Sequence, residues 1–253
     1  TEISKNDRIE IQHAIDTQLL PEFYKALEKE FSDPLLRIEY CTEMTRIIYK
    51  HENIFRVKAL LEAPSTFPPY KPNVKKDAKP SVCKAPRFTP PQSAAARQLV
   101  NKHIAVGHWR IFLEAIYCSP MMMVPKPGAD PPFRPTINMK NVNCNFWSIN
   151  WPFPCIKTNF LHISKNKSMY FGVSDVQGGY FQLRIAKAFQ HYFAVMTDTE
   201  VIIPDRLIQG NTDTAKYFQG CFSNALRDFI PQRVINWLAD FILHNNSMPA
   251  HLA

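Results

Sequence analysis

A run of ten residues near the end of the chain, 234–243 with the sequence VINWLADFIL, restricts the fold most strongly. Two short apolar segments flank a polar centre, and this pattern predicts a β-hairpin with its tip at Leu238-Ala239-Asp240. A single aspartate at such a tip is ordinary turn chemistry. The hairpin therefore predicts a sheet, and the segments that accompany it must indicate which kind of protein contains it.

Three segments in a fixed order resemble the catalytic motifs of reverse transcriptases. Residues 171–183 resemble a strand that ends in a metal-binding aspartate, here Asp175, followed by glycine and an aromatic residue. Residues 207–219 resemble the loop and helix start that cover the template and the incoming nucleotide. The third segment is the hairpin, which in that family carries an aromatic residue, any residue and two aspartates. The order and spacing are similar to those of the RNA-directed DNA polymerases of gypsy-class LTR retrotransposons.

The resemblance extends upstream and covers roughly residues 45–253. Five short segments repeat the fingers pattern of that family: 119–120, 124–127, 133–138, 142–143 and 151–154. Residues 75–92 are similar to the arm that precedes the fingers, and residues 49–56 to the segment before that arm. The resemblance implies an α+β fold of the right-hand polymerase type, with fingers and palm but without thumb or RNase H domain.

The chain divides into four predicted regions. Apolar residues at helical spacing predict a helical extension over residues 1–60. Residues 61–91 are rich in proline, which excludes a regular helix and favours an extended strap. The resemblance then places the fingers at 92–150 and the palm at 151–253, with 184–215 returning to the fingers.

Secondary structure follows from local patterns. Helices are predicted from about residue 91 to Gly107, over 154–163 and over 218–229. Strands are predicted at 121–124 and 136–137 in the fingers and at 169–173 in the palm, with a hairpin formed by 192–197 and 201–203.

The net charge of +8 is concentrated in the strap and the residues after it. Residues 61–110 contain nine Lys and Arg against two Asp and Glu, whereas residues 1–60 contain nine against eleven. Six basic residues alternate with prolines in the strap: Lys71, Lys75, Lys76, Lys79, Lys84 and Arg87. A solvated linker and an arm that contacts phosphate or an acidic partner both fit this pattern.

The six cysteines show no metal-ligand spacing, so zinc is not expected. They are interpreted as reduced structural thiols of an intracellular, reducing compartment. The chain begins at Thr1, and removal of an organellar targeting peptide is one of several explanations. No window is apolar enough to predict insertion into a membrane.

The resemblance places the catalytic carboxylates at Asp175, Ala239 and Asp240. Reverse transcriptases use three carboxylates there to hold two magnesium ions, and a methyl group cannot ligate a hard cation. We therefore expect no metal site, no cofactor and no polymerisation. By the same resemblance, five residues would contact the nucleotide: Lys126, Arg134, Tyr180, Gln209 and Gly210. Three further positions depart from the family pattern: Asn138, Lys140 and Ile208.

Two functions stay open. The first is a catalytically inactive, domesticated reverse-transcriptase-like domain that acts as a structural subunit of a larger assembly, with RNA or DNA as a further partner. The second is a fragment of a retrotransposon polymerase, which would use magnesium. Without a thumb, one palm face bearing Ile235, Trp237, Phe241 and Leu243 would be uncovered, so the isolated chain is expected to need a protein partner.

Overall fold

The computed structural model describes residues 9, 12–13, 15–22, 24–25, 34–51 and 64–247. The predicted helical positions within 26–33 and 52–60 lie outside these residues, as does the end of the predicted palm from 248 onwards. Described helical elements are a π-helix at Ile15–Leu19, α1 (Pro34–Lys50), α2 (Pro90–Ala105), α3 (Lys140–Asn143), α4 (Ile156–Lys165), α5 (Thr214–Ala225) and 3-10 turns at Gly179–Gln182 and Lys187–Phe193. Described strands are β1 (Asn73–Val74), β2 (Trp109–Ile111), β3 (Ser119–Pro125), β4 (Phe133–Ile137), β5 (Phe146–Trp147), β6 (Tyr170–Asp175), β7 (Val195–Met196), β8 (Val201–Pro204), β9 (Val234–Trp237) and β10 (Asp240–Asn245). The predicted α+β class is confirmed.

Two larger sheets and one small sheet organise the described part of the chain. The five-stranded sheet has the order β2-β8-β7-β3-β4, and all of its pairs are antiparallel except β3 with β7. The three-stranded sheet has the order β6-β10-β9 and is antiparallel throughout. Strand β1 pairs with β5. Residues 184–215 thus contribute two strands to the same sheet as β2, β3 and β4.

The residues at the two ends of helix α2 explain where this helix begins and ends. Thr89 and Gln92 form a capping box, and prolines at the first helical positions cost no hydrogen bond there. Gly107 has a φ of +71°, a conformation that glycine adopts without strain, and it follows the last turn. The predicted start and end of this helix are therefore close to the observed ones.

Helix α5 differs from its prediction. It begins at Thr214 and ends at Ala225, whereas the apolar spacing predicts a helix over 218–229. The apolar pattern continues past Ala225 in hydrogen-bonded turns, in which the amide of Phe229 donates to the carbonyl of Leu226 at 2.9 Å. Pro231 lies within these turns, and its ring, which has no N–H, cannot continue a helix. The apolar periodicity alone therefore predicts a helix that lies too far towards the C-terminus.

Two other boundaries are also shifted. Helix α4 begins at Ile156 rather than 154, and β6 continues to Asp175 rather than ending at 173. The predicted strand 192–197 is a 3-10 turn up to Phe193 followed by the two-residue strand β7. Strand β7 still forms the predicted antiparallel hairpin with β8.

The prediction of which residues lie on the uncovered face of the palm sheet is wrong. Opposite residues of antiparallel strands share a face, and successive residues alternate between faces. Trp237 therefore lies on the face of Asp240, while Phe241 and Leu243 lie on the other face, where the ring of Phe241 contacts Phe222 of α5 at 5.8 Å between centroids. Ile235 is only 8 % exposed. The large apolar residues most exposed on β6 are instead Phe171 and Val173, at 51 % and 79 %.

One apolar core connects α2, the five-stranded sheet and α5. Its most deeply buried members include Val100 of α2, Met121 of β3, Ile202 of β8, Phe218 of α5, and Tyr70, Met139 and Leu207 from connecting segments. Because the strap contributes Tyr70, this core also includes the proline-rich segment. Within the described residues, no helix has both the length and the apolar composition needed to cross a bilayer.

A buried aromatic cluster joins the end of α2 to β2. The rings of His103 and Trp109 stack at 4.1 Å, and His108 stacks on Phe181 at 5.3 Å. The Nδ1 atoms of the two histidines are 3.4 Å apart. Burial, reinforced by the neighbouring imidazole, lowers the pKa of His103 to about 3, and burial also lowers the pKa of His108. Both imidazoles are therefore neutral in the folded protein at pH 7.

We expect this cluster to make the protein unstable in acid. The unfolded chain protonates both histidines near pH 6.5, but the folded chain does not, so their contribution is complete above pH 6.5 and decreases towards pH 3. His103 adds a slope of about 1.4 kcal/mol per pH unit in that window, and His108 adds to it in the same direction below pH 6.5. Urea denaturation at several pH values measures the slope. His103→Gln should reduce it, and His191→Gln, outside the cluster, should not.

Candidate functional site

Asp175 and Asp240 lie directly opposite each other at one end of the three-stranded sheet. Asp175 is the last residue of β6 and Asp240 the first of β10, and the two form a Cα pair in the antiparallel register. Both side chains are exposed, and Trp237 pairs with Asp240 from the other side. Two carboxylates therefore share one face at the solvent-accessible end of the sheet.

The turn between β9 and β10 consists of Leu238 and Ala239. Leu238 has a φ of +53°, and its amide donates to Oε1 of Gln219 at 2.6 Å. Gln219 is fully buried on α5. The carbonyl of Ala239 accepts from the amide of Val176, the residue after Asp175, at 2.9 Å. Hydrogen bonds from both sides thus fix the position of the turn relative to the aspartates.

The donor set does not fit a site for two magnesium ions. Position 239, next to Asp240, has a methyl group that packs against the core. Magnesium requires oxygen ligands, and this end of the sheet has carboxylates at Asp175 and Asp240 but none at position 239. Across the part of the chain that the structure describes, no three His, Cys, Asp or Glu side chains are grouped to hold a metal ion.

Tyr180 follows Asp175 at the start of a 3-10 turn. Its ring stacks on Phe218 of α5 with centroids 4.8 Å apart and planes 11° apart. The preceding residue, Gly179, permits this contact because a Cβ there would lie 2.7 Å from the Phe218 ring. Burial raises the pKa of Tyr180, so its hydroxyl is a neutral donor at physiological pH. Tyr180 is therefore a fixed, half-buried aromatic surface.

Gln209 and Gly210 are exposed residues of the loop before α5. Gly210 has a φ of +109°, and a Cβ there would lie 2.6 Å from the carbonyl oxygen of Ile137 at the end of β4. The side chain of Asn143 donates to the Gly210 carbonyl at 3.0 Å. Only glycine fits this position without displacing the end of β4, so the loop is held against the five-stranded sheet.

Lys126 and Arg134 lie near the tip of the β3–β4 hairpin. Arg134 is opposite Val124, and the amide of Lys126 donates to the carbonyl of Pro132 at 2.9 Å. Both side chains are exposed. The structure brings these two cations together on one hairpin, which belongs to a different sheet from the aspartate pair.

The backbone that carries the six basic residues of the strap is held in place, unlike that of a free linker. The backbone of Lys79 forms two hydrogen bonds with the side chain of Asn145, at 2.8 and 3.0 Å. The ammonium of Lys75 lies 4.7 Å above the ring centre of Trp147. Five of the six side chains are exposed, and Lys75 is half-buried. The strap therefore presents its charges from a fixed backbone.

Sequence patterns gave no indication of the role of Asp213. This carboxylate is fully buried and accepts from Ser148 Oγ at 2.8 Å and from the amide of Ile149 at 3.1 Å. Lys216 Nζ is 3.8 Å away. An aspartate just before a helix normally indicates an N-cap, but this one joins α5 to the segment after β5 instead of capping the helix.

Tyr70 was also missed, because nothing in a proline-rich segment marks one aromatic residue as buried. Its hydroxyl donates to Asn211 Oδ1 at 3.2 Å, and Asn211 in turn donates to Asn143. Burial, with a smaller effect of the Asp213 charge, raises the pKa of Tyr70 far above its usual range. The strap, α3 and the Gly210 loop are thus connected by one polar network.

Solved structures of foamy virus enzymes share this fold. The native prototype foamy virus protease-reverse transcriptase superposes with a TM-score of 0.75 and 16 % identity, over 92 % of this chain and 30 % of that chain. The foamy viral protease-reverse transcriptase in complex with an RNA/DNA hybrid gives a TM-score of 0.74, 17 % identity and the same coverage. A form in complex with double-stranded DNA gives 0.71 and 16 %, over 92 % of this chain and 40 % of that chain.

At these identities the likeness shows the fold alone, and the described chain has a reverse-transcriptase fold. It spans less than half the length of these structures. No protein-family model matches the sequence, and no curated protein matches it.

Proposed function

We propose that this chain is a catalytically inactive reverse-transcriptase-like domain that binds nucleic acid as a subunit of a larger assembly. The observation that carries the proposal is the register of the palm hairpin, in which Asp240 is opposite Asp175 while Ala239 is in the turn. The fold keeps two carboxylates in place and lacks an oxygen ligand beside them.

Nucleotidyl transfer on two metal ions needs carboxylates to hold an ion at the attacking oxygen and another at the triphosphate. Asp175 and Asp240 alone supply two negative charges, which is too little to hold two divalent ions at millimolar magnesium. The rate of extension is therefore expected to fall by several orders of magnitude relative to a complete site.

Nucleic-acid binding is supported by the charge on the surface and by the fold. Foamy viral enzymes with this fold were solved with an RNA/DNA hybrid and with double-stranded DNA. Exposed cations lie on the strap and on the β3–β4 hairpin, and phosphate contacts of this kind give most of the affinity for a duplex.

Two measurements on the same protein test the proposal. Fluorescence anisotropy with a labelled RNA/DNA hybrid should show binding that weakens as salt rises. Primer extension with magnesium and all four nucleotides should show no product. Template-dependent extension by the unaltered chain would favour the alternative function, a fragment of a retrotransposon RNA-directed DNA polymerase. The stack of Tyr180 on Phe218 also suits that function.

The strap is expected to provide a measurable share of the phosphate contacts. Replacing Lys75, Lys76 and Lys79 by Ala should weaken binding and reduce the slope of log K against log salt by about 2 to 3, since each phosphate contact contributes about 0.9. Anisotropy titrations across a salt series measure this slope.

The matched control removes the same charge elsewhere. Lys157, Lys165 and Lys167 are exposed on or just after α4, and their replacement by Ala should change the slope by less than about 1. Equal effects of the two triple variants would mean that only net charge matters, and the strap would then have no specific role in binding.

A further inference from the structure

The strap is hydrogen-bonded to the segment that leads into β3. Ser81 and Tyr117 form a parallel bridge. The amide of Ser81 donates to the carbonyl of Ile116 at 3.0 Å, and the amide of Cys118 donates to the carbonyl of Ser81 at 2.6 Å. The backbone near Cys83 is thus held beside the backbone of Cys118, although the two residues are far apart in sequence.

Their thiols are neighbours in this arrangement, because each affects the pKa of the other. The Cys83 thiol also lies 4.0 Å from Sδ of Met196, the β7 residue opposite Pro120 of β3. Both cysteines are free; Cys118 is buried and Cys83 is half-buried. Two thiols from distant segments of the chain are therefore neighbours in the fold.

We propose that Cys83 and Cys118 form a reversible intramolecular disulfide by reaction with a low-molecular-weight disulfide such as glutathione disulfide. The bond fastens the basic strap to the first strand of the fingers hairpin. A disulfide needs sulfur atoms about 2 Å apart on backbones that already approach closely, and the Ser81–Tyr117 bridge supplies that approach.

The reaction balances as two thiol–disulfide exchanges. Cys83, the more accessible thiol, loses its proton to solvent and attacks one sulfur of glutathione disulfide, which releases one glutathione thiolate and leaves a mixed disulfide. Cys118 then loses its proton and attacks the Cys83 sulfur, which releases the second glutathione. Two protein thiols are oxidised, and one glutathione disulfide is reduced to two glutathione molecules.

The surroundings of the pair determine its rate. Burial raises the pKa of Cys83, and burial with the neighbouring Cys83 thiol raises the pKa of Cys118 to about 12. The thiolate is the attacking form, so cross-linking is slow at neutral pH and accelerates as the pH rises. Exposed Cys155 behaves differently, because hydrogen bonds from Thr158 lower its pKa. Cys155 is therefore modified sooner.

Peptide mapping of the full chain tests the proposal directly. The protein is incubated with glutathione disulfide at neutral and mildly alkaline pH, free thiols are blocked with N-ethylmaleimide, and tryptic peptides are analysed without reduction. The sequence places Cys83 in peptide 77–84 and Cys118 in peptide 111–140, while Cys144 and Cys155 share peptide 141–157. The expected product is peptide 77–84 linked to 111–140, more abundant at higher pH and lost with dithiothreitol.

Two variants make the result specific. Cys155→Ser should keep the cross-link, and Cys83→Ser, at a half-buried position, should abolish it. In limited proteolysis of the folded protein, the cross-link should also slow tryptic cleavage after Lys84 and Arg87. Glutathione adducts on Cys83 without the linked peptides, or unmodified Cys83 and Cys118 after Cys155 has fully reacted, would each overturn the proposal.

Discussion

Replacing Ala239 by Asp is expected to strengthen magnesium binding by adding a third carboxylate. The backbone of the turn is fixed by the amide of Val176 and by Gln219, so a carboxylate at position 239 that turns away from the core would join Asp175 and Asp240 without a rearrangement of the sheet. Three carboxylates in one place provide the charge and the oxygen ligands that the hard cation needs. Isothermal titration with magnesium and a nucleoside triphosphate should detect binding that is about tenfold to a hundredfold tighter than that of the unaltered chain.

Primer extension measures the catalytic effect of the same substitution. We expect template-dependent product from the Ala239→Asp variant at a rate about a thousandfold above the unaltered chain. In the control variant Ala239→Asn, the side chain has nearly the same shape as that of Asp but carries no charge. This variant should therefore gain neither magnesium binding nor primer extension. Adding Asp175→Asn to Ala239→Asp should remove both gains. Clear extension by the unaltered chain would contradict the proposed loss of catalysis.

Replacing Asp213 by Ala is expected to lower the free energy of unfolding by about 3 to 4 kcal/mol. The substitution removes a fully buried carboxylate and leaves the hydroxyl of Ser148 and the amide of Ile149 without their acceptor. It also removes the carboxylate that faces the ammonium of Lys216. Because these groups hold α5 against the segment after β5, the palm and the Gly210 loop should loosen together.

Urea denaturation followed by circular dichroism measures this loss. Asp228→Ala removes the same group from a side chain that is 85 % exposed, and it should change the free energy of unfolding by less than about 0.5 kcal/mol. Asp213→Asn keeps one acceptor oxygen and should give an intermediate value. An effect of Asp213→Ala as small as that of Asp228→Ala would mean that the buried network contributes little to stability.

The elements that the sequence predicts well are those with a local cause. The hairpin at 234–243 is marked by two apolar runs around a polar centre, and the structure places its turn at Leu238 and Ala239. Helix α2 is marked by Thr89, two prolines and a closing glycine. In each case the residues that specify the element lie within or beside it, so their pattern can be read without knowledge of the fold.

The features that could not be predicted depend on contacts between distant residues. Asp213 binds residues 148–149, and Tyr70 binds Asn211, so neither role leaves a periodic trace in the sequence. The face assignment of the palm strands failed for a related reason. Phe241 is covered by α5, and only the tertiary arrangement shows which side of a strand a helix covers.

The order of the five-stranded sheet has a consequence for how the protein is made. Strands β7 and β8 lie between β2 and β3, although they come from residues 195–204 and their neighbours from residues 109–125. During synthesis, β2 and the β3–β4 hairpin leave the ribosome with no partner between them, and about seventy more residues must follow before the gap can close. Such long-range pairing slows folding and leaves strand edges exposed. The nascent chain therefore passes through a period in which a chaperone has an edge to bind.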